Sequence, residues 1–306
     1  MRHPQGVTSP SSAGVIEQAC RQTGRRDILP SAMLSLWPDL VDESADSRIY
    51  SLEAVGFRLG DKGTHTSRTM MLAELTDLLA SAPSDSDREA YLSAIVESNV
   101  LGKSTTATRK LSAQRLSELY SLDTGVPLFR VFRLYWDRDR YGRPVLALLL
   151  ALARDPLLRS TVGSVLRMTP GEELGRQAMT DAVSAVVGDR LSDSTIDKVV
   201  RNAASTWTQS GHLEGRSRKY RFKISPTPAS LAFALFLGYA LGMRGEGLLR
   251  SMWVRILDLS ADEATGLAFD AKRLGFLDMS RGGGVTEVSF ARLLTDDEKG
   301  LIHGTG

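Results

Sequence analysis

Residues 194–224 decide the fold class, because a helical burial pattern gives way there to a basic, alternating stretch: STIDKVVRNAASTWTQSGHLEGRSRKYRFKI. Ser194 and Asp197 form an S-x-x-D pattern, which predicts a helix start with a capping box. Apolar residues then recur at the spacing of one helix face, which predicts an amphipathic helix with that face in a core. They are Ile196, Val199, Val200, Ala203, Ala204 and Trp207.

The opposite face of this helix carries basic and uncharged polar side chains, and the stripe contains no acidic residue. Such side chains can contact phosphates or base edges. The stripe consists of Lys198, Arg201, Asn202, Ser205, Thr208 and Gln209.

A basic hairpin is predicted directly after the helix, which ends at Ser210-Gly211. Its tip is residues 215–218, and beyond it the apolar Phe222 and Ile224 alternate with Arg221 and Lys223 as in a half-buried strand. A helix with a polar stripe followed by a basic hairpin suits insertion into a major groove with a wing on the backbone. Residues 169–226 are therefore predicted to form a first winged-helix module, with residues 175–188 as its preceding helix. The cations assigned to its wing are Arg216, Arg218, Lys219 and Arg221.

The alternative for this module is an ordinary core helix followed by a solvated hairpin, because runs of charge usually belong to solvated faces.

The same order of signals recurs in residues 227–295. Ser260 and Glu263 form a second capping box, and residues 281–284 supply a turn before a returning strand. This predicts a second winged-helix module, followed by a tail at 296–306. Its outer face is acidic and its wing carries one base, so protein contact or a scaffold role is expected rather than DNA reading. The predicted buried face is Ala264, Leu267, Ala268, Ala271 and Leu274.

The N-terminal half divides into a partly disordered arm, residues 1–48, and a helical domain, residues 49–168. Residues 99–103 interrupt two predicted helices, and Ser104 is placed as the cap of the second. Four cations lie on or just before that helix and are a second candidate phosphate contact, the alternative being the charged surface of a structural bundle. They are Lys103, Arg109, Lys110 and Arg115.

The bulk composition is that of a globular protein whose charges nearly cancel. The 306 residues carry 38 basic and 36 acidic side chains, so a nucleic-acid surface must come from local clustering. Cys20 is the single cysteine, which excludes an internal disulfide and suits the cytoplasm. No signal peptide is predicted, and the longest apolar runs, 145–153 and 229–243, are shorter than a membrane-spanning helix and predict buried core helices.

Sequence signals for catalysis or for a bound cofactor are absent. None of the four histidines has a carboxylate or a second histidine three or four residues after it, and there is no phosphate-binding P-loop. Pairs of acids such as Asp137 with Asp139 indicate solvated surface rather than a nuclease centre. We therefore expect no enzyme activity, no metal and no cofactor.

The sequence resembles the BrxA family of BREX bacteriophage-exclusion systems. The likeness spans roughly residues 67–225 and depends on three short motifs, at Glu97–Ser104 with the residues to Leu116, at Asp155–Arg159, and at Asn202–Arg216. It implies a small helical DNA-binding accessory protein with winged-helix parts, without catalysis of its own, that works with other phage-defence proteins. This chain is longer than the family pattern, through its N-terminal arm and second winged module.

The leading functional hypothesis is a cytoplasmic, non-catalytic component of phage defence that binds double-stranded DNA and has no contact with a membrane. One alternative is an autoregulatory transcription factor, which would need a defined DNA site. Another is an adaptor whose winged helices bind only protein.

Overall fold

A computed structural model describes residues 45–303. Within that range the protein is mainly helical, with two two-stranded antiparallel sheets, which confirms the predicted mainly α class. The predicted N-terminal arm lies outside the described residues, except for its last four positions, which begin the first helix, α1 (Ala45–Val55).

The helices of the N-terminal half pack around one buried helix, α6 (Arg143–Arg154). Every residue from 145 to 153 is buried, so the prediction of a core helix there is confirmed. It contacts the helices on either side of it in sequence as well as α4. The other elements are α2 (Leu72–Ser81), α3 (Arg88–Val96), α4 (Thr106–Tyr120), α5 (Pro127–Arg138), α7 (Pro156–Ser160), α8 (Val162–Leu166) and a single 3-10 turn at Thr64–Thr66.

The C-terminal half contains two helix-then-hairpin units in series. In the second, Gly282 pairs with Val285, so only Gly283 and Gly284 form the turn. Both have positive φ, 58° and 80°, as a tight two-residue hairpin turn requires. The elements are α9 (Arg176–Val187), a second 3-10 turn (Gly188–Arg190), α10 (Asp193–Gln209), β1 (Leu213–Glu214), β2 (Tyr220–Arg221), α11 (Pro228–Ala240), α12 (Gly245–Leu249), α13 (Met252–Ile256), α14 (Ala261–Arg273), β3 (Asp278–Gly282), β4 (Val285–Ser289) and α15 (Asp296–His303).

The predicted units share one continuous apolar core, which extends from Leu52 to Ile302. The ring of Phe233 on α11 lies 5.9 Å from that of Phe132 and 6.2 Å from that of Tyr135, both on α5. Helix α10 likewise contacts α6 and α7. The predicted boundaries near 169 and 227 stay predictions. The packing nevertheless means that helices of the N-terminal half position any surface that α10 forms.

The starts of two helices differ from the prediction. Helix α10 begins at Asp193 after Ser192, whose side chain makes no capping bond, and Asp197 instead pairs with Arg176 on α9. Helix α4 is capped by Thr105, not Ser104, through a bond from the Thr108 N–H to the Thr105 hydroxyl. A serine one or two residues from the true cap satisfies the same sequence pattern, so the pattern alone does not fix the first residue.

The second predicted capping box is confirmed. The Ser260 hydroxyl accepts from the Glu263 N–H, and the Glu263 carboxylate accepts from the Ser260 N–H at 2.8 Å. The buried face of α14 is only partly as predicted. Ala264, Ala268 and Ala271 are buried, but Leu274 is 58% exposed because it follows the last helical residue.

None of the described helices combines the length and the apolarity that crossing a membrane requires.

Candidate nucleic-acid interface

Helix α10 has one buried and one partly open face, and the buried face is the predicted one. All six of its predicted core residues are buried, and Trp207, at 0% exposure, donates from Nε1 to the Thr161 hydroxyl at 2.8 Å. On the other face Lys198 and Arg201 are exposed and Ser205 is half-buried. We call these three residues the α10 surface.

The hairpin between β1 and β2 lies beside this surface. Leu213 pairs with Arg221 and Glu214 with Tyr220, and Tyr220 also bridges to Glu173. Gly215, with φ of 102°, makes the turn possible, because a Cβ there would lie 2.1 Å from a backbone oxygen. Arg216 and Arg218 are exposed at the tip of the hairpin, as predicted for two wing cations.

Arg221 is not a surface cation, and this part of the prediction is wrong. Its side chain is buried, pairs with the carboxylate of Asp258 and donates to the His212 carbonyl at 3.3 Å. Phe222, predicted to be on the buried side of the strand, is 52% exposed. The ion pair with Asp258 makes burial of the guanidinium acceptable. The predicted alternation therefore fails at Arg221 and Phe222, whereas Lys223 is exposed and Ile224 is buried, as predicted.

Lys219 is also engaged within the protein. Its ammonium donates to the Thr208 hydroxyl at 2.8 Å, and partial burial lowers its pKa. The bond joins the wing to α10. Lys219 therefore positions the wing. The prediction that it is a free phosphate contact is wrong.

Two further members of the predicted stripe face the N-terminal half instead of solvent. The Asn202 amide donates to the His65 carbonyl at 2.7 Å, and Gln209 donates to the Thr69 hydroxyl at 3.1 Å. Gln209 also accepts from the Leu72 N–H. The assignment of Asn202 and Gln209 as DNA contacts is therefore wrong, because a segment about 140 residues earlier covers them.

The charge of the remaining stripe is less uniform than the sequence indicated. Asp197, 46% exposed, lies 3.5 Å from Arg201 and also pairs with Arg176. Exposed ion pairs of this kind are weak and exchange readily, so Arg201 can still turn to a phosphate. Lys198 makes no ion pair with any residue that the structure describes.

A buried polar cluster fixes α10 against the N-terminal half, and sequence reasoning missed it. Asp155 Oδ2 accepts from the His65 N–H at 3.1 Å and lies 2.8 Å from His65 Nδ1, while His65 Nε2 lies 2.8 Å from the Thr206 hydroxyl. Asp155 Oδ1 accepts from the N–H groups of Leu157 and Leu158 at the start of α7. The Asp-Pro pair at 155–156 is the one sequence signal that could have indicated this helix cap.

The cluster keeps Asp155 ionised. Burial opposes its ionisation, but the neighbouring His65 ring and the backbone N–H donors outweigh burial and lower its pKa to about 2. All three side chains of the cluster are fully buried, so the aligned Asp155, His65 and Thr206 hold helices together and are closed to a substrate.

The second candidate site, on α4, is mostly occupied by internal contacts. Lys103 pairs with Glu74 at 3.0 Å, and Arg109 donates to the carbonyls of Lys103 and Val96. Lys103 and Arg109 therefore stabilise the turn before α4, against the prediction. Lys110 is exposed, as that prediction requires.

Among residues 45–303 no group of histidine, cysteine, aspartate and glutamate side chains is arranged to hold a metal ion. His212, like His65, is buried, and its Nε2 lies 2.7 Å from the Ile256 carbonyl. Burial lowers the pKa of His212 to about 4, which keeps it neutral.

Comparison of the sequence with protein-family models gave no match, and comparison with curated proteins gave none either.

Proposed function

We propose that the protein is a non-catalytic, duplex DNA-binding accessory protein, with α10 in the major groove and the β1–β2 hairpin as a wing against the backbone. The observation that carries this proposal is the arrangement of residues 156–221. Two short helices come first, a strand position at Glu173 follows, then α9 and α10, and then a hairpin whose second strand pairs with both Glu214 and Glu173. That order is the one found in winged-helix domains, with α10 at the place of the recognition helix.

The exposed cations support the same proposal. Lys198 and Arg201 lie on α10, and Arg216 and Arg218 on the wing beside it. The contact between Arg218 and Glu173 is long, 3.8 Å, and exposed, so a phosphate can replace it. Phosphate contacts of this kind supply most of the affinity for DNA of any sequence.

The second helix-then-hairpin unit suits a different partner. Helix α14 exposes Asp262 and Glu263, which repel DNA, together with the apolar Phe269 at its outer surface. We propose that this unit contacts other proteins or acts as a scaffold. The further proposal that these proteins belong to a BREX-like phage-defence system depends on the resemblance of the three sequence motifs to BrxA.

Salt-dependent binding to random duplex DNA tests the proposal. The double variant Arg216→Ala, Arg218→Ala removes two tip cations without touching the core. We expect its slope of log affinity against log salt to flatten by about 2 units, since each lost phosphate contact removes roughly 0.9. Equal binding by parent and variant at every salt concentration would exclude the wing as a DNA contact.

The matched control is Arg138→Ala, Arg140→Ala, which removes two exposed arginines at the end of α5. Their loss should leave the slope unchanged. Strong preference for the DNA upstream of the protein's own gene would favour an autoregulatory transcription factor, and lack of DNA binding at moderate salt would favour a protein adaptor.

A further inference from the structure

A segment of the N-terminal half, residues 62–69, lies along one side of α10. Asn202 donates to the carbonyl of His65, and two turns later Gln209 donates to the hydroxyl of Thr69. The segment therefore follows α10 from Asn202 to Gln209, alongside the C-terminal part of the α10 surface.

The wing lies on the other side of that surface. It is held there by the bond from Lys219 to Thr208. At about 100° of rotation per residue, Asn202 and Thr208 are about 120° apart around the helix axis, with Ser205 midway between them. The α10 surface is therefore the open sector between two flanking parts of the chain.

The flanking segment is itself basic. Lys62 is exposed and Arg68 is half-buried, and neither makes an ion pair with another residue in 45–303. The neighbouring carboxylate of Asp61 is already paired with Arg190. Lys62 lines a pocket with Arg190 and Leu191, which lie just before α10, and Arg68 is next to Thr69, which Gln209 contacts. Two cations thus belong to the segment that flanks α10 on the side away from the wing.

We infer that Lys62 and Arg68 contact the DNA strand opposite to the one that the wing contacts, so that the duplex is held on both sides of its major groove. The inference rests on the proposed DNA binding. The major groove is about 12 Å wide and is bordered by the phosphates of both strands, so a helix in the groove has one backbone on each side. The wing supplies cations for one backbone, and residues 62–69 supply them for the other.

The segment is held in place before any ligand arrives. His65, at its centre, is fixed by Asp155 and by Thr206 through bonds of 2.8 to 3.1 Å. Because the backbone of the segment is already fixed, Lys62 and Arg68 can contribute affinity without a cost for ordering it.

The first test is the double variant Lys62→Ala, Arg68→Ala, titrated with random duplex DNA beside the wing variant and the Arg138, Arg140 control. We expect the salt slope to flatten by about 2 units and affinity at 0.1 M salt to fall on the order of tenfold. The charge-preserving variant Lys62→Arg, Arg68→Lys should keep the parent slope.

The second test places a photo-crosslinker on each side of α10. In a Cys20→Ser background, Ser67→Cys and Ser217→Cys carry the label on the segment and on the wing, and Ser84→Cys between α2 and α3 is the control; all three serines are exposed. Both flanking positions should crosslink to duplex DNA, and position 84 should not.

One result would overturn the second contact and leave the proposed function standing. In it the parent binds DNA and the wing variant loses affinity, but the Lys62→Ala, Arg68→Ala variant keeps the parent salt slope. Crosslinking from position 217 without crosslinking from 67 would do the same. If the parent itself does not bind DNA, the proposed function fails, and this inference fails with it.

Discussion

Asp155→Asn should destabilise the protein far more than the loss of an ordinary helix cap. The carboxylate accepts four bonds inside the protein: Oδ1 from the N–H groups of Leu157 and Leu158, and Oδ2 from the N–H and ring of His65. An asparagine oxygen can keep one of these pairs. Its NH2 group then meets the donors that faced the other oxygen.

The number of hydrogen bonds that the substitution removes sets the expected loss of stability. At least one buried N–H group loses its acceptor, and each such loss costs about 1 to 3 kcal/mol. A change of His65 tautomer can recover the ring contact but not the bond to its backbone N–H. We therefore expect the free energy of unfolding to fall by about 2 to 4 kcal/mol at pH 7.

Urea unfolding followed by tryptophan fluorescence measures this loss, and Asp87→Asn is the matched control. Asp87 also caps a helix, accepting from the Ala90 N–H at 2.8 Å, but it is exposed, so its loss should cost less than about 1 kcal/mol. Equal costs for the two substitutions would refute the role assigned to the buried cluster.

The stability difference between the parent and Asp155→Asn should also depend on pH. Because the folded protein lowers the Asp155 pKa to about 2, its ionised form stabilises the fold above the unfolded pKa of about 4. That contribution is lost as the pH falls from about 4 to about 2. The stability difference between the parent and Asp155→Asn should therefore shrink by about 2 kcal/mol over this range.

Two further substitutions test the packing around α10 and the wing. Trp207→Ala should cost about 3 to 5 kcal/mol in urea unfolding, because the ring is fully buried, whereas the half-exposed Thr208→Ala should cost much less; similar values would mean that the faces of α10 are wrongly assigned. Arg221→Ala should cost about 3 to 5 kcal/mol by leaving Asp258, whose side chain is only 12% exposed, without its partner. The double variant with Asp258→Ala should cost less than the sum of the single losses. Strict additivity would show that the two side chains do not interact.

The sequence was sufficient to predict structure where the pattern of apolar residues within one short segment decides it. The buried face of α10 follows from apolar residues at helical spacing, and the buried run 145–153 follows from its length and composition. The Ser260 capping box was also predicted correctly, since both partners are only three residues apart.

Three of the errors in the predicted site share one physical cause, which is contact between residues far apart in sequence. Asn202 and Gln209 have the residue types of a reading helix, but residues 65–72 cover them. Arg221 has the alternation of a solvent-facing strand residue, but Asp258, 37 positions later, draws it inward. No window of local sequence contains these partners.

The motifs that carry the resemblance to BrxA contribute to the scaffold in this structure. Asn99 adopts a left-handed conformation, with φ of 51°, and accepts from the Lys103 N–H at 2.8 Å, so it shapes the turn before α4. Asp155 accepts from the His65 N–H and so holds the 3-10 turn at Thr64–Thr66, and the Asn202 amide bonds the same turn to α10. The exposed cations at 62, 198, 201 and 218 and the half-buried Arg68 lie outside the motifs, whereas Arg216 is the last residue of the third motif. Substitutions of Asn99, Asp155 and Asn202 should therefore act on DNA affinity through the position of α10, and substitutions of the cations should act on it directly through charge.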